Sequence, residues 1–441
     1  MMLRLIIILL GLLCLPVRAQ GEMLWHHNGE LNRAGQTLTQ LLLPEESAFA
    51  ALSVAEKDRW LTREWRQILN RRQRFSQLPL STEWGLAGFE SAWSAGKLDD
   101  YMARQVPDYP GYQKLKRHYH ILAGSRSYTR LPPGPEVRPG ERDRAIPALR
   151  QRLAELGYRL PEPRGRADAL DRPLSEALTR VQRAHGLQDK GWLNNETRAV
   201  LDRSPAAARD EIRQNLRRWL LLPPIATERY VLVNIPAYRL TLYHGRQPDL
   251  SMKVIVGRPD WPTPELATYI KALKVNPDWT PTDNIVREEL LPAQRRDSGY
   301  LARHGFSALV SQDGSWVKMS LAELDWSRGS GVRLVQAPGP GNALGRLKFE
   351  MPNRFDVYLH DTPDKTLFGE AGRALSHGCI RLAEPERLAE SLGWRLPEHQ
   401  QTRILPASGE LPVYLVYFTT WVNDEDRLVF SPDIYRKNGD V

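Results

Sequence analysis

The spacing of the apolar residues changes at about residue 229, and this change constrains the fold more than any other feature of the sequence. Before it, apolar side chains recur every three to four residues, as between Trp60 and Leu69, which predicts amphipathic helices. After it, short β-branched and aromatic runs are separated by turn residues, which is typical of strands. The predicted strands are 230–235, 240–242, 252–256, 269–275, 355–359 and 413–418, with a short helix at 385–392. We therefore expect an α+β, multidomain chain whose C-terminal part is mostly β.

The helical part divides at a linker over 131–140 that is rich in proline and glycine. A chain of 441 residues has room for about three domains. We expect a signal peptide, a helical scaffold with the linker, a three-helix unit, a helical connection and a mostly-β domain, over 1–19, 20–143, 144–204, 205–228 and 229–441 respectively. An insertion at about 283–341, with a helix-like stretch from Leu321 to Trp326, is predicted to be a lid; the alternative is a plain surface insertion.

The first nineteen residues have the pattern of an export signal. Arg4 precedes an apolar run over 5–15, and the small-residue site Val17-Arg18-Ala19 follows. The run is short for a membrane span, so we expect export to the periplasm with cleavage near Ala19. An uncleaved inner-membrane anchor is the alternative, and this segment is the only predicted membrane contact.

Charge and cysteine content exclude several classes of protein. The net charge of +9 (61 − 52) is spread without a Lys/Arg block, which argues against nucleic acid as a partner and is compatible with an acidic polymer. Two cysteines exclude a disulfide-rich scaffold. Cleavage of the signal would remove Cys14 and leave Cys379 as the one thiol. An unpaired thiol in an exported chain indicates either a function or an inert buried side chain.

The neighbours of Cys379 favour a function. A histidine, His360, ends the predicted strand 355–359, and Cys379 follows it by nineteen residues. A cysteine nucleophile needs a base and needs donors that stabilise an oxyanion, and a glycine-containing loop can supply backbone N–H groups. The positive charge of Arg381 should help to lower the thiol pKa. The loop reads Ser376-His377-Gly378-Cys379-Ile380-Arg381.

A zinc site is the main alternative chemistry for the same residues. The candidate ligands would be His360, Asp361, His377 and Cys379. The spacing between His377 and Cys379 is tight for a structural zinc site, so we expect no metal and no other cofactor.

The pair formed by His360 and the segment Ser376–Arg381 resembles the signature of the L,D-transpeptidases with the YkuD fold. Similar phrases occur at 233–237, 256–257, 263–264, 276–277 and 338–349. The segment 153–197, with His185-Gly186-Leu187, resembles a three-helix peptidoglycan-binding domain; a degenerate copy that serves only as a scaffold is the alternative. The order of regions is similar to that of long periplasmic members of the family, which implies a mostly-β YkuD-like catalytic domain after a helical scaffold and a peptidoglycan-binding domain.

The resemblance implies a peptidoglycan cross-linking acyltransferase. Cys379 would be the nucleophile and His360 the proton donor and acceptor, and the N–H groups of Gly378 and Cys379 would form part of the oxyanion hole. Ser376 and His377 would support the pair, and Arg381 would hold the loop or a substrate carboxylate. The thiolate would attack the third-residue carbonyl of a tetrapeptide stem, release D-alanine and transfer the acyl group to the side-chain amine of another stem.

Two further products of the same thioester stay open at this point. Water as acceptor would make the protein an L,D-carboxypeptidase, and a lysine of an envelope protein would make it a protein-anchoring enzyme. The implied partners are peptidoglycan stem peptides, with other cell-wall synthases as further candidates. A non-catalytic peptidoglycan-binding protein and a zinc-dependent peptidase are the alternatives from other classes.

Overall fold

The computed structural model describes residues 23–77, 82–124, 127–163, 165–224, 227–312, 314–321, 323–324, 332–397 and 401–438. The predicted signal segment, with Cys14, lies outside these ranges. The chain divides into two compact units, Met1–Gln73 with Leu80–Val106, and Arg74–Pro79 with Pro107–Val441. Within the described ranges, no helix is both long enough and apolar enough to cross a bilayer.

The first unit is helical apart from one small hairpin. The hairpin is β1 (His26–His27) with β2 (Glu30–Leu31), and the helices are α1 (Arg33–Leu42), α2 (Glu46–Ala50), α3 (Val54–Phe75), α4 (Leu86–Ser94) and α5 (Leu98–Ala103). Apolar residues one helical turn apart on α3, Leu61, Trp65 and Leu69, are buried. The side chain of Asn32 caps α1 by accepting a hydrogen bond from the backbone N–H of Gly35.

The second unit begins with five helices. They are α6 (Pro110–Ala123), α7 (Ile146–Glu155), α8 (Arg172–Ala184), α9 (Asn195–Leu201) and α10 (Pro205–Trp219). Asp171 and Asn194 cap α8 and α9, and Gly157 follows α7 with a φ of 82°. Helices α7 to α9 lie within 144–204, where the sequence predicts a three-helix unit. Leu149, Leu153, Leu174, Leu178, Val181 and Leu201 form the centre of their shared core.

A closed sheet follows, interrupted by an insertion. The first strands are β3 (Arg229–Asn234), β4 (Arg239–His244), β5 (Gln247–Gly257) and β6 (Leu266–Val275). The insertion contains α11 (Asp283–Ile285), a π-helical turn (Val286–Leu290), α12 (Leu291–Arg296), α13 (Tyr300–Arg303), and the antiparallel strands β7 (Phe306–Gln312), β8 (Ser315–Met319) and β9 (Val332–Gln336). Leu290, Leu301, Phe306, Ala308 and Leu334 form a separate small core there.

The sheet is completed by strands from the C-terminal part. They are β10 (Leu347–Glu350), β11 (Leu359–His360), β12 (Ala374–Ser376), β13 (Ile380–Leu382) and β14 (Arg403–Val416); α14 (Pro385–Ser391) and the hairpin β15 (Thr420–Val422) with β16 (Leu428–Phe430) lie outside it. The order is β12-β5-β13-β11-β10-β6-β14-β3-β4, and β4 also pairs with β5. Eight of these described strands therefore close into a ring, which leaves few unpaired edges. The predicted α+β class, with helices before a mostly-β part, is confirmed.

Two local predictions differ from the structure. The strand expected over 355–359 is reduced to Leu359–His360, because Asp356 has a positive φ of 53° and the Asn353 side chain binds the N–H groups of Phe355 and Val357 in a turn. In the stretch expected to be helix-like, residues 321, 323 and 324 are not helical; 322, 325 and 326 lie outside the described residues.

Candidate functional site

Parallel pairing of two short strands brings the two sequence motifs together. In the register of β11 and β13, Leu359 lies opposite Ile380 and His360 lies opposite Arg381. On its other side β11 pairs with β10, where His360 lies opposite Lys348. His360 therefore lies on a strand that is paired on both sides, and Cys379 immediately precedes β13. The sheet holds both backbones in place.

His360 is a buried histidine with an unused ring nitrogen. Its exposed fraction is 5%, and its Nδ1 atom has no hydrogen-bond partner among the described residues. Burial, followed by the charges of Arg381, Lys348 and Lys365, lowers the pKa of His360 to about 3, against a smaller opposing effect of a backbone hydrogen bond with Asp361. The imidazole is therefore neutral at neutral pH and is able to accept a proton.

Cys379 is a half-buried thiol whose environment opposes ionisation. Burial raises the pKa of Cys379, and hydrogen bonds with Tyr358 and the charges of Lys348 and Arg381 oppose that rise. Arg381 thus acts in the expected direction, but burial is the larger effect. The thiol, which approaches the Asp356 carbonyl at 3.8 Å, is protonated at rest beside a neutral imidazole.

The loop before Cys379 is shaped by hydrogen bonds of its own. The Ser376 hydroxyl donates to the Cys379 carbonyl at 2.6 Å and accepts from the Gly378 N–H at 3.2 Å. Gly378 has a φ of 112°, which favours glycine. Of the two N–H groups expected to bind an oxyanion, that of Gly378 is therefore already engaged. The Cys379 N–H has no protein acceptor within the described part of the chain.

A network of buried hydrogen bonds also holds the loop before Cys379 in place. Thr263 Oγ1 donates to the Gly378 carbonyl at 2.8 Å and accepts from the Gly257 N–H at 2.8 Å. The Tyr435 hydroxyl donates to the Gly257 carbonyl at 2.6 Å and accepts from the Thr263 N–H at 3.1 Å. A Cβ atom on Gly257 would lie 2.1 Å from the Trp261 carbonyl oxygen, so this close approach requires glycine.

His377 faces a carboxylate from the insertion. Its Nε2 atom lies 2.5 Å from Oε1 of Glu289, which belongs to the π-helical turn. The same oxygen accepts a hydrogen bond from Nη1 of Arg258 at 3.1 Å. Trp261 contacts the His377 ring edge-on, with 4.7 Å between ring centroids. Burial raises the pKa of Glu289, but the hydrogen bonds and charges of His377 and Arg258 together outweigh burial and lower it, so the carboxylate is charged.

A cavity of 330 Å³ joins these groups to the insertion. Its lining includes His360, His377, Cys379 and Arg381 and, from the insertion, Ile285, Glu289, Tyr300 and Phe306. A neutral imidazole and a thiol on the wall of one cavity, beside an unengaged backbone donor, are the parts that acyl transfer through a cysteine requires.

Comparison with known proteins shows what this part of the chain is similar to. Residues 228–403 match the model of the YkuD L,D-transpeptidase catalytic domain. This region is therefore similar to YkuD-type catalytic domains. A putative L,D-transpeptidase of Haemophilus influenzae is 33% identical over 238 residues, which are 51% of this chain and 47% of that protein. The chain thus spans about half the length of this curated relative.

Solved L,D-transpeptidases are similar to the chain at low identity. One from Mycobacterium smegmatis shares 14% identity over 43% of this chain and 58% of that one, with a TM-score of 0.23. One from Xylanimonas cellulosilytica shares 13% identity over 64% of this chain and 98% of that one, with a TM-score of 0.22. Similarity at these TM-scores adds nothing to the assignment.

Several residues that the sequence did not single out shape the candidate site. Tyr358 contacts the His360 ring with 5.5 Å between centroids, and Lys348 lies 4.3 Å over the Tyr358 ring. Alternation along a strand could have placed Tyr358 beside His360, two residues away. Glu289 gave no such signal, because it lies in a charged run that resembles any solvated surface.

The residues considered for zinc do not form a cluster. In the described part of the chain, no group of three or more His, Cys, Asp or Glu side chains is placed to hold a metal ion. The Asp361 carboxylate instead accepts hydrogen bonds from the N–H groups of Arg346 and Thr362 and from the Lys365 ammonium group.

Proposed function

We propose that the protein is a peptidoglycan L,D-transpeptidase in which Cys379 is the nucleophile and His360 accepts and donates the proton. The observation that carries this proposal is the pairing of β11 with β13, which places both side chains on the wall of the 330 Å³ cavity. The family match over 228–403 supports the reaction class.

Acylation in this proposal starts from a neutral pair. As Sγ of Cys379 attacks the third-residue carbonyl of a tetrapeptide stem, His360 takes the thiol proton, so no free thiolate has to exist beforehand. The Cys379 N–H stabilises the negative oxygen of the tetrahedral intermediate. The carbon–nitrogen bond to D-alanine then breaks, and His360 returns the proton to the leaving amine. A thioester remains on Cys379.

Deacylation repeats the same proton movements with a different nucleophile. The side-chain amine of a third residue in another stem attacks the thioester, and His360 accepts a proton from that amine. The carbon–sulfur bond breaks, and the proton passes to Sγ. The product is a cross-link between two third residues, and the energy comes from the peptide bond that was broken.

We infer that the insertion acts as a lid over this site. Ile285, Tyr300 and Phe306 of the insertion line the same cavity as Cys379 and contribute apolar surface to it. Exclusion of water would favour an amine over hydrolysis, because both compete for one thioester. This argument favours transfer over the L,D-carboxypeptidase reaction.

The remaining regions fit an exported cell-wall protein. We infer that the helical unit over 144–204 acts as a peptidoglycan-binding domain after the scaffold over 20–143, and that the protein works in the periplasm with stem peptides as its substrates. The apolar run and cleavage pattern over 1–19 support export, and three helices with a common core, two of them capped by Asp171 and Asn194, support a binding unit.

Product analysis tests the reaction. The chain is incubated with purified tetrapeptide monomers and dimers, and the products are analysed by mass spectrometry. Products cross-linked through third residues are expected, and Cys379→Ala should give none. Tripeptides without cross-links would contradict transferase activity and indicate the carboxypeptidase. Wild-type activity of Cys379→Ala would contradict the mechanism.

Adduct formation tests the nucleophile separately. A carbapenem has a strained amide carbonyl that a cysteine can open to a thioester, and no stem amine is bound beside that adduct, so it should persist. We expect one adduct per chain, in the peptide containing Ser376–Arg381, and no adduct in Cys379→Ala. A stable adduct on a serine would contradict the assignment.

A further inference from the structure

The contact between Glu289 and His377 links the insertion to the loop that carries Cys379. Glu289 lies in the π-helical turn Val286–Leu290, and π-helical turns occur frequently at functional sites. The next residue, Leu290, is buried in the small core of the insertion. The backbone of Glu289 is therefore held by the insertion, while its carboxylate reaches the loop.

The loop side of the contact is equally well defined. His377 is two residues before Cys379, and Trp261 packs against its ring. Arg258 donates its backbone N–H to the Ser376 carbonyl at 2.9 Å and its guanidinium to Glu289. One carboxylate oxygen thus joins the His377 side chain to the segment that follows β5. Hydrogen bonds of this kind, with a charged acceptor, are among the stronger ones in proteins.

We propose that Glu289 is a positioning residue for acyl transfer, which acts through His377. By holding His377 and Arg258 together, it fixes the loop so that Sγ and the N–H of Cys379 face the cavity. The insertion then completes the catalytic site as well as covering it. This inference rests on the proposed function.

The matched control is the neighbouring acid on the same turn. Glu288 is contacted by the exposed guanidinium of Arg287, and its own side chain is 44% exposed. Glu288→Gln and Glu289→Gln remove one charge each without changing side-chain size. A general effect of charge on the insertion would appear in both variants, whereas positioning of the loop would be lost only in Glu289→Gln.

Kinetics of carbapenem acylation in the full chain test the role. Intact mass against time gives the maximal acylation rate and the inhibitor concentration for half-maximal rate. We expect Glu289→Gln to lower the maximal rate about tenfold or more and to change that concentration by less than about threefold. Glu288→Gln should stay within about twofold of wild type. A merely structural contact would lower the melting temperature without this separation of the two constants.

A double-variant cycle tests whether Glu289 acts through His377. If it does, Glu289→Gln should add little further loss in a His377→Gln background, whereas independent losses would multiply. Multiplying losses, or a Glu289→Gln rate equal to that of Glu288→Gln, would overturn the inference while the proposed function stands. A wild-type chain that no carbapenem acylates would contradict the proposed function itself.

Discussion

Two buried histidines in the second unit show how different surroundings give one side chain different uses. His185 ends the second helix of the three-helix unit, and His360 lies on β11 of the YkuD-like domain. Burial is the main cause that lowers both pKa values, to about 4 for His185 and about 3 for His360. Both imidazoles are therefore neutral at pH 7, and burial alone does not distinguish them.

Their hydrogen bonds do distinguish them. Nδ1 of His185 accepts from the Phe430 backbone N–H at 2.9 Å, and its ring stacks on Phe430 with 6.0 Å between centroids. The cavity beside it, of 440 Å³, is lined by no cysteine among the described residues. Nδ1 of His360 has no hydrogen-bond partner among the described residues. His360 itself lies on β11, which pairs with the strand that follows Cys379. Because the neutral His360 imidazole lines the same cavity as Cys379 and its Nδ1 atom has no partner among the described residues, it is the histidine available for proton transfer.

Removing each imidazole is the strongest way to break this comparison. His360→Gln should lower the rate of carbapenem acylation by about 10²- to 10⁴-fold, the usual contribution of a general base. His185→Gln is the matched control and should leave that rate within about twofold. Stopped-flow or mass kinetics measure both rates. Equal losses in the two variants would show that His360 is only structural.

The protonation state of Cys379 gives the next largest effect. Because burial raises the pKa of Cys379, the rate of alkylation by iodoacetamide should rise about tenfold per pH unit between pH 7 and pH 9. Labelling of wild type followed by mass spectrometry measures it. A rate that is fast and independent of pH in this range would indicate a preformed thiolate–imidazolium pair and would contradict the neutral pair described above.

The sequence indicates the candidate site residues more completely than it predicts the strands and helices around them. Short apolar and β-branched runs predict parts of β3 to β6 and of β14, because most side chains of those runs are buried. The choice of Cys379 and His360 as candidate nucleophile and base rests on residue chemistry and spacing. The loss of strand at 355–358 depends on the left-handed conformation of Asp356, which nothing in the local apolar pattern indicates.

The sequence does not predict contacts between residues that are far apart in the chain. Glu289 and His377 are 88 residues apart, and their contact depends on how the insertion folds. The sign of the pKa shift of Cys379 likewise depends on how much burial the fold imposes, which outweighs the predicted effect of Arg381. Local sequence patterns predict neither the Glu289–His377 contact nor the direction of the pKa shift of Cys379.

The pH dependence of stability tests the His185 half of the comparison. Since the pKa of His185 is lowered in the folded state, the unfolded state binds the proton first as pH falls. The contribution of neutral His185 to the free energy of unfolding is therefore complete above about pH 6.5. It falls by about 3 kcal/mol as the pH is lowered to 4. Urea unfolding at pH 7 and pH 4 measures this loss, and His185→Gln should reduce it. An unchanged pH dependence in the variant would contradict the assignment.

The smallest expected effect concerns a hydroxyl inside the YkuD-like domain whose hydrogen bonds are all made. The Tyr435 hydroxyl binds the Gly257 carbonyl and the Thr263 N–H, so Tyr435→Phe leaves both backbone groups without this partner. We expect a loss of about 1 to 2 kcal/mol in unfolding free energy and a reduction of the acylation rate of less than tenfold. Tyr112→Phe is the control, because the buried Tyr112 hydroxyl has no partner among the described residues and its removal should cost no stability. If Tyr435→Phe reduced acylation as strongly as His360→Gln, a group with all its hydrogen bonds would be as important for the reaction as one without, and the distinction between the two histidines would fail.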